Sequence, residues 1–515
     1  MSFGQSSYVH FPKTKVLINT TTGSQDHKYL QLSILLFGAF EFFLGLVSYM
    51  AADYVDLFIP LIFVAGGLGA LALIFCVWQP ASIKVYDILA VALMLAYGVG
   101  SLNTLVSFMA ENATSELSYF IPQIWLVRAV ASCVASAGLL HMAGRADSQG
   151  YIFKHFELTE SQVKKILIFC MLFGVLFLIQ VAKGSIGFMG IQNAEDTVQI
   201  SAVASLVSGL LTPVSSLAIY AAFQAENIKR KRFLLLIAAT FLLFQFFLGR
   251  RVFIFSSFIL VMTIVFANRP KKFITLKNIL MLCILVFALQ TATTAFLTLR
   301  LAGYSHFVKH TGKGSVALKD RLQAAYQLYM ESENGEIAES VKENLKTRTF
   351  VIDYFASLSE KASYKEPMLG QDFFRALIVA TPSIIYPGKY ANKLYGQEEG
   401  LANPYYGLPV DDNANSILTA GVIDFGLLGV FVLPLATCIV FSLILRARNY
   451  GAAAMGAALV GIMTCQTMLS VEADYVGYIT SLRDITIVLI LTAVYLLLTK
   501  KLPNHKIQNL KYKDN

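Results

Sequence analysis

Two adjacent arginines, Arg250 and Arg251, stand in the stretch FLGRRVF, midway along residues 233 to 267, a run of 35 that is otherwise almost wholly apolar. A guanidinium is planar and offers its N–H donors as a fork that matches phosphate oxygens, and partial burial strengthens the contact. Two readings fit the pair. The side chains snorkel to lipid headgroup phosphates, or they bind an anionic group presented at the outer face of a membrane. Arg300 closes a later apolar run, and Arg348, Arg375 and Lys389 follow it in the large hydrophilic segment of the chain. Any one of these is an ordinary salt-bridge or surface residue, yet several cations around a carboxylate suit a substrate that carries phosphate.

Carboxylates and histidines supply the second half of such chemistry. Asp411 and Asp412 stand just before another apolar run, where a partly buried carboxylate could act as a general base. Loop solvation or helix capping explains them equally well, because Asn413, Asn415 and Ser416 stand beside them. His306 and His310, four apart, could share a helix face, but no third ligand at a motif spacing accompanies them, so a surface pair is expected and no metal site. No GxxxxGK loop is present, and ATP hydrolysis is not indicated. No cofactor is expected.

The elements that must position these groups are membrane helices. Hydrophobic residues make up 56% of 515 and charged residues 14%, and the mean hydropathy is +0.62, values foreign to a soluble domain of this length. Each crossing needs roughly 20 apolar residues, because backbone polar groups must be satisfied inside the helix. About twelve such runs are present, approximately 30–50, 57–78, 86–109, 120–143, 164–182, 199–224, 233–248, 252–267, 277–299, 416–445, 451–470 and 484–499. The expected fold is therefore an all-α, polytopic integral membrane protein. Its parts are a polar N-terminal segment (1–29), nine helices (30–299), a large loop domain (300–415), three helices (416–499) and a basic tail (500–515). The first apolar run is long enough to span, so it is expected to be an uncleaved helix rather than a signal peptide. The 6 cysteines all fall within these runs and are expected to be packing residues.

Loop charge orients the chain. With alternate loops on opposite sides, one set holds Lys84, Arg145, KRKR (229–232), RPKK (269–272), Arg446, Arg448 and the basic tail, whereas the short loops of the other set hold Lys183, Arg250, Arg251 and Arg483. The first set is cytoplasmic by the positive-inside rule, so both termini are expected in the cytoplasm and the large loop outside. Topology thereby accounts for most of the net charge of +9, and no nucleic-acid partner is implied. One helix of residues 233–267 would be about 52 Å long, too long for the bilayer core, so a hairpin is expected with Arg250 and Arg251 at its external turn.

The loop domain is nearly neutral and rich in tyrosine. Helices are expected at 315–331, 336–362 and 371–381, followed by an extended loop from Pro382 to Pro409 that returns to the membrane.

In this order and topology the LGRR turn (248–251), Arg300 at the start of the external loop, TPSIIYPGKY (381–390) and NSILTAGVIDFGLLG (415–429) resemble the Wzy-type oligosaccharide repeat unit polymerases, relatives of the O-antigen ligases. The resemblance covers roughly residues 230–430. It implies a GT-C-like helical architecture in the bacterial inner membrane and a metal-independent glycosyltransferase. Such an enzyme moves a growing glycan from polyprenyl pyrophosphate to the terminal sugar of another lipid-linked repeat unit at the outer face. The implied partners are those lipid-linked oligosaccharides, membrane lipids and a chain-length regulator. Under the resemblance Arg250, Arg251 and Arg300 bind pyrophosphate, and Asp411, Asp412 or His306 assists the incoming hydroxyl. Arg348, Arg375, Lys389, Asn415 and Asp424 line the glycan. The ligase branch carries a histidine about where Asn415 stands, which argues against a ligase, and the arginine-x10-glycine pattern of some polymerases is not reproduced after Arg300. The rival readings are a ligase and a transporter or flippase of lipid-linked sugars.

Overall fold

The computed structural model describes residues 20–54, 57–78, 83–99, 122–148, 150–152, 158–182, 186, 202–248, 323, 351–382, 385–386, 398–408, 415–451, 454–471 and 473–498. Among them regular structure is helical throughout, with one isolated antiparallel bridge between Lys84 and Tyr151. Among the described residues seven helical spans are long and apolar enough to cross a membrane, which makes this an all-α, multi-pass membrane protein.

The first half contributes α1 (Thr20–Met50), α2 (Phe58–Trp78), α3 (Val85–Leu93, continued by a π-helical turn Met94–Val99), α4 (Gln123–Ala146), α5 (Glu160–Ala182), α6 (Ala202–Gln224) and α7 (Ile228–Leu248). Lipid tails are as apolar as leucine, so these helices associate through close packing rather than hydrophobic exclusion. The α1–α4 crossing shows the consequence: a Cβ on Gly138 would sit 2.4 Å from the backbone nitrogen of Phe42. Buried cations at one end of the bundle spend their N–H groups on carbonyls. The Lys84 Nζ donates to Gly144 and Asp147, and Arg448 donates to Tyr151 and Ile152. We refer to this as the basic end.

The large hydrophilic segment contributes α8 (Val351–Ala362), α9 (Gln371–Ala380) and α10 (Glu398–Tyr406). Of the helices expected there, α9 agrees with 371–381, and α8 occupies the second half of 336–362, the rest lying outside the described residues. The extended loop expected over 382–409 contains a helix, α10, despite Pro404 inside it. Burial holds it: Glu398, Ala402, Asn403 and Tyr406 are enclosed, and the Tyr354 hydroxyl of α8 donates to Asn403 Oδ1 at 2.8 Å.

The last elements are α11 (Ile417–Phe425), α12 (Gly429–Gly451), α13 (Ala454–Leu469) and α14 (Tyr475–Leu498). The expected single span 416–445 is divided. Gly426 adopts φ +61°, ψ −155°, a region open to glycine alone, and the chain turns so sharply that a Cβ on Gly421 would lie 2.4 Å from the carbonyl oxygen of Gly429. At nine residues α11 is about 13 Å long and too short to cross, whereas α12, with 23 residues, can do so alone. The span expected at 484–499 begins earlier, at Tyr475. α8 packs on α4 and α11, while α9 packs on α11 and α14, which seats the loop helices on the membrane bundle.

Candidate functional site

Arg375 and Asp424, distant in sequence, both engage Asp372, where α9, α11 and α14 converge. Asp424 is fully buried at the end of α11, and its carboxylate faces the first turn of α9. Its Oδ1 accepts the Asp372 N–H at 3.1 Å and its Oδ2 the Phe373 N–H at 2.9 Å. The first amides of a helix have no partner inside it and carry partial positive charge, so a carboxylate there satisfies both donors and the dipole. The preceding backbone is joined to the same strip: Met368 N–H donates to Ile423 O and Leu369 N–H to Asp424 O, at 2.9 and 3.1 Å.

So anchored, α9 points Arg375 into a nest of carboxylates. Its Nε donates to Asp372 Oδ1 at 2.6 Å and its Nη2 to Asp474 Oδ2 at 3.3 Å. Asp474 also accepts the Gly477 N–H at 3.0 Å and thereby caps α14. Glu398, the first residue of α10, is fully buried, and neither of its oxygens has a hydrogen-bond partner. Burial, reinforced by the neighbouring Asp372 carboxylate, pushes Glu398 well above the usual carboxylate range. Burial also raises Asp372, against the opposing pull of Arg375. Two neighbouring carboxyls in a dry site resist ionising together, so the pair keeps a proton. A proton held by the pair can be taken up or given back, as a general acid or base requires.

The opposite end of α9 is closed by a cation. Arg483 of α14 donates from Nη1 to the Ala380 carbonyl at 2.8 Å and pairs with Asp484 at 2.9 Å. Asn415 precedes Ser416, the N-cap of α11, whose Oγ accepts from Leu418 and Thr419 N–H and lies 2.5 Å from the Tyr97 hydroxyl. The capping role weighed for this region thus falls to Ser416.

No family model, curated protein or solved structure matches this chain. Of the residues singled out from the sequence, Arg375 and Asp424 both engage Asp372, one through its side chain and the other through its backbone, and Asn415 lies at the entry to α11. Arg250, Arg251, Arg300, His306, Arg348, Lys389, Asp411 and Asp412 lie outside the described residues. Asp372, Glu398, Asp474 and Arg483 were not foreseen as a group. Asp372 and Arg375 are three apart on a helix, a spacing shared with countless surface ion pairs, and Glu398 sits in GQEEG, which reads as solvated loop.

Proposed function

We propose that this protein is a polysaccharide polymerase that transfers a growing glycan from polyprenyl pyrophosphate to a lipid-linked oligosaccharide repeat unit at the outer face of a bacterial cytoplasmic membrane. The observation that carries the reading is the buried Asp372–Glu398 carboxyl pair beside Arg375, held by loop helices against a membrane bundle. The acceptor hydroxyl oxygen attacks the anomeric carbon, the bond to pyrophosphate breaks, and the hydroxyl proton passes to the carboxyl pair. Asp424 acts as a positioning residue, because it fixes the helix that bears Asp372 and Arg375. Arg375 is already engaged by Asp372 and Asp474. Arg250, Arg251 and Arg300 are accordingly proposed to bind the departing pyrophosphate, where fixed cations stabilise charge as it develops. Asp411, Asp412 and His306 remain alternative proton acceptors. Arg348, Lys389 and Asn415 are proposed to contact the glycan. The topology that goes with this reading has twelve spans, both termini in the cytoplasm and the 300–415 loop outside.

One observation favours a second reading. Ionisable side chains enclosed within membrane helices, among them Glu41 and His141, are a common feature of transporters, and a transporter of lipid-linked glycans would use them. The test separates the two: the purified protein, given polyprenyl pyrophosphate-linked repeat units in liposomes, should release one free polyprenyl pyrophosphate for each glycosidic bond formed. Substrate that crosses the bilayer chemically unchanged would favour the transporter.

A further inference from the structure

Away from the loop helices, a second group of buried ionisable side chains lies between α1, α3 and α4. Asp87, in the first turn of α3, pairs with the Arg145 guanidinium and accepts the Lys84 backbone N–H at 3.0 Å. Its Oδ1 lies 3.1 Å from Nδ1 of His141. The opposite ring nitrogen, Nε2, faces Oε2 of Glu41 at 3.7 Å. Glu41 is 0% exposed and neither of its oxygens has a hydrogen-bond partner. A bare carboxylate inside a membrane bundle is costly, so a proton belongs on Glu41 or between it and the imidazole.

Charge and tautomer fix which atoms exchange that proton. Asp87 is ionised against Arg145, so His141 keeps Nδ1–H as the donor to Asp87 and presents Nε2 as its titrating position. The pair then exists as a carboxylic acid beside neutral imidazole, or as a carboxylate beside imidazolium. The close α1–α4 crossing holds the two side chains in place: a Cβ on Gly138 would meet Glu41 Cβ at 2.9 Å, and one on Gly38 would meet His141 Cβ at 2.8 Å. A cavity of about 20 Å³, lined by Phe37, Phe75, Cys76, Asp87 and His141, reaches the ring. About 10–15 Å³ is enough to hold a water.

Of the other groups nearby, Cys133 of α4 acts on Glu41 and the Arg145 guanidinium of the same helix on His141, while Cys76 of α2 and Cys438 of α12 lie beside Asp87. Lys84 is turned away, its ammonium held by the Gly144 and Asp147 carbonyls.

We propose that Glu41 and His141 form a proton-exchange site inside the membrane domain, loaded from the basic end through the cavity at Asp87. Its ligand is a single proton delivered by water: binding adds H⁺ to the pair, release returns it to cavity water, and no electron moves. The site stands whether the protein polymerises glycans or transports them.

Infrared spectra of the full-length protein in lipid nanodiscs, in water and heavy water from about pH 5 to pH 9, test the site. We expect a protonated-carboxyl band that fades as pH rises, shifts down in heavy water, and is missing from Glu41→Gln. In His141→Gln the same band should persist at every pH, because the carboxyl has lost the ring with which it trades the proton. The proposal is overturned if Glu41→Gln removes no band, or if the band it removes neither changes with pH nor shifts in heavy water. Should Glu41→Gln fail to fold, His141→Gln decides: a band that still fades with rising pH, as in the unaltered protein, overturns the proposal.

Discussion

Asp424 of α11 and Arg483 of α14 grip opposite ends of one loop helix: the carboxylate takes the first amides of α9, and the guanidinium takes the Ala380 carbonyl at the other end. Each charge opposes the helix dipole at its own terminus. A ten-residue helix that would be marginal in water is thereby held rigidly against the membrane bundle. Replacing Asp424 with alanine should lower stability by about 2–3 kcal/mol, since one buried and one half-buried donor lose a charged acceptor. Arg483→Ala should cost about 1 kcal/mol. Thermal unfolding in detergent, together with protease sensitivity of residues 371–380, checks both. An unchanged Asp424→Ala protein would contradict the anchoring role.

Arg375 is the cation between Asp372 and Asp474. Removing one partner of a buried pair leaves charge uncompensated, so Arg375→Leu should destabilise by about 3–5 kcal/mol. The double variant Arg375→Leu, Asp372→Asn should recover part of that loss, and a double-mutant cycle measures the coupling. Additive losses would mean that the two side chains do not act together.

Asp353 of α8 is buried without a hydrogen-bond partner, and burial pushes it up to about 7 from an ordinary value of 3.8. The folded protein therefore keeps a proton that the unfolded chain has already released, and stability drains away as pH rises from about 4 to about 7. Asp353→Asn removes this titration. The variant should match the parent near pH 4 and be more stable at pH 8, by at most about 4 kcal/mol. Melting curves at the two pH values check it, and an equal gain at both would refute the assignment.

Gly426 turns the chain between α11 and α12 in a conformation that side chains avoid. Gly426→Ala should cost about 1–3 kcal/mol, while Gly400→Ala, where an added Cβ meets nothing, should cost little. Comparable losses at both sites would show that strain is not the cause.

The helical membrane fold was legible because its signal is local: α1, α2, α4, α5 and α6 are apolar runs near 20 residues, and hydropathy finds them. Hydropathy could not see that 416–445 breaks, because the break depends on the backbone angles of Gly426 within an unbroken apolar run. It began α14 late because Arg483 and Asp484 interrupt the apolar pattern inside the helix. The site was only half legible. Arg375 was marked as a cation of the hydrophilic segment and Asp424 through the family resemblance, but Glu398 and Asp474 join them only through tertiary packing that brings α10 and α14 beside α9. The Glu41–His141 contact escaped for the same reason: the two residues lie on α1 and α4, far apart in sequence.

Glycan polymerisation, the proposed activity, is measured most directly by gel separation of products after purified protein meets short repeat units on polyprenyl pyrophosphate. The parent protein should give a ladder of lengthening glycans and folded Glu398→Gln a strongly diminished one. A single glycan on a different acceptor, or substrate left at its original length by the parent protein, would contradict it.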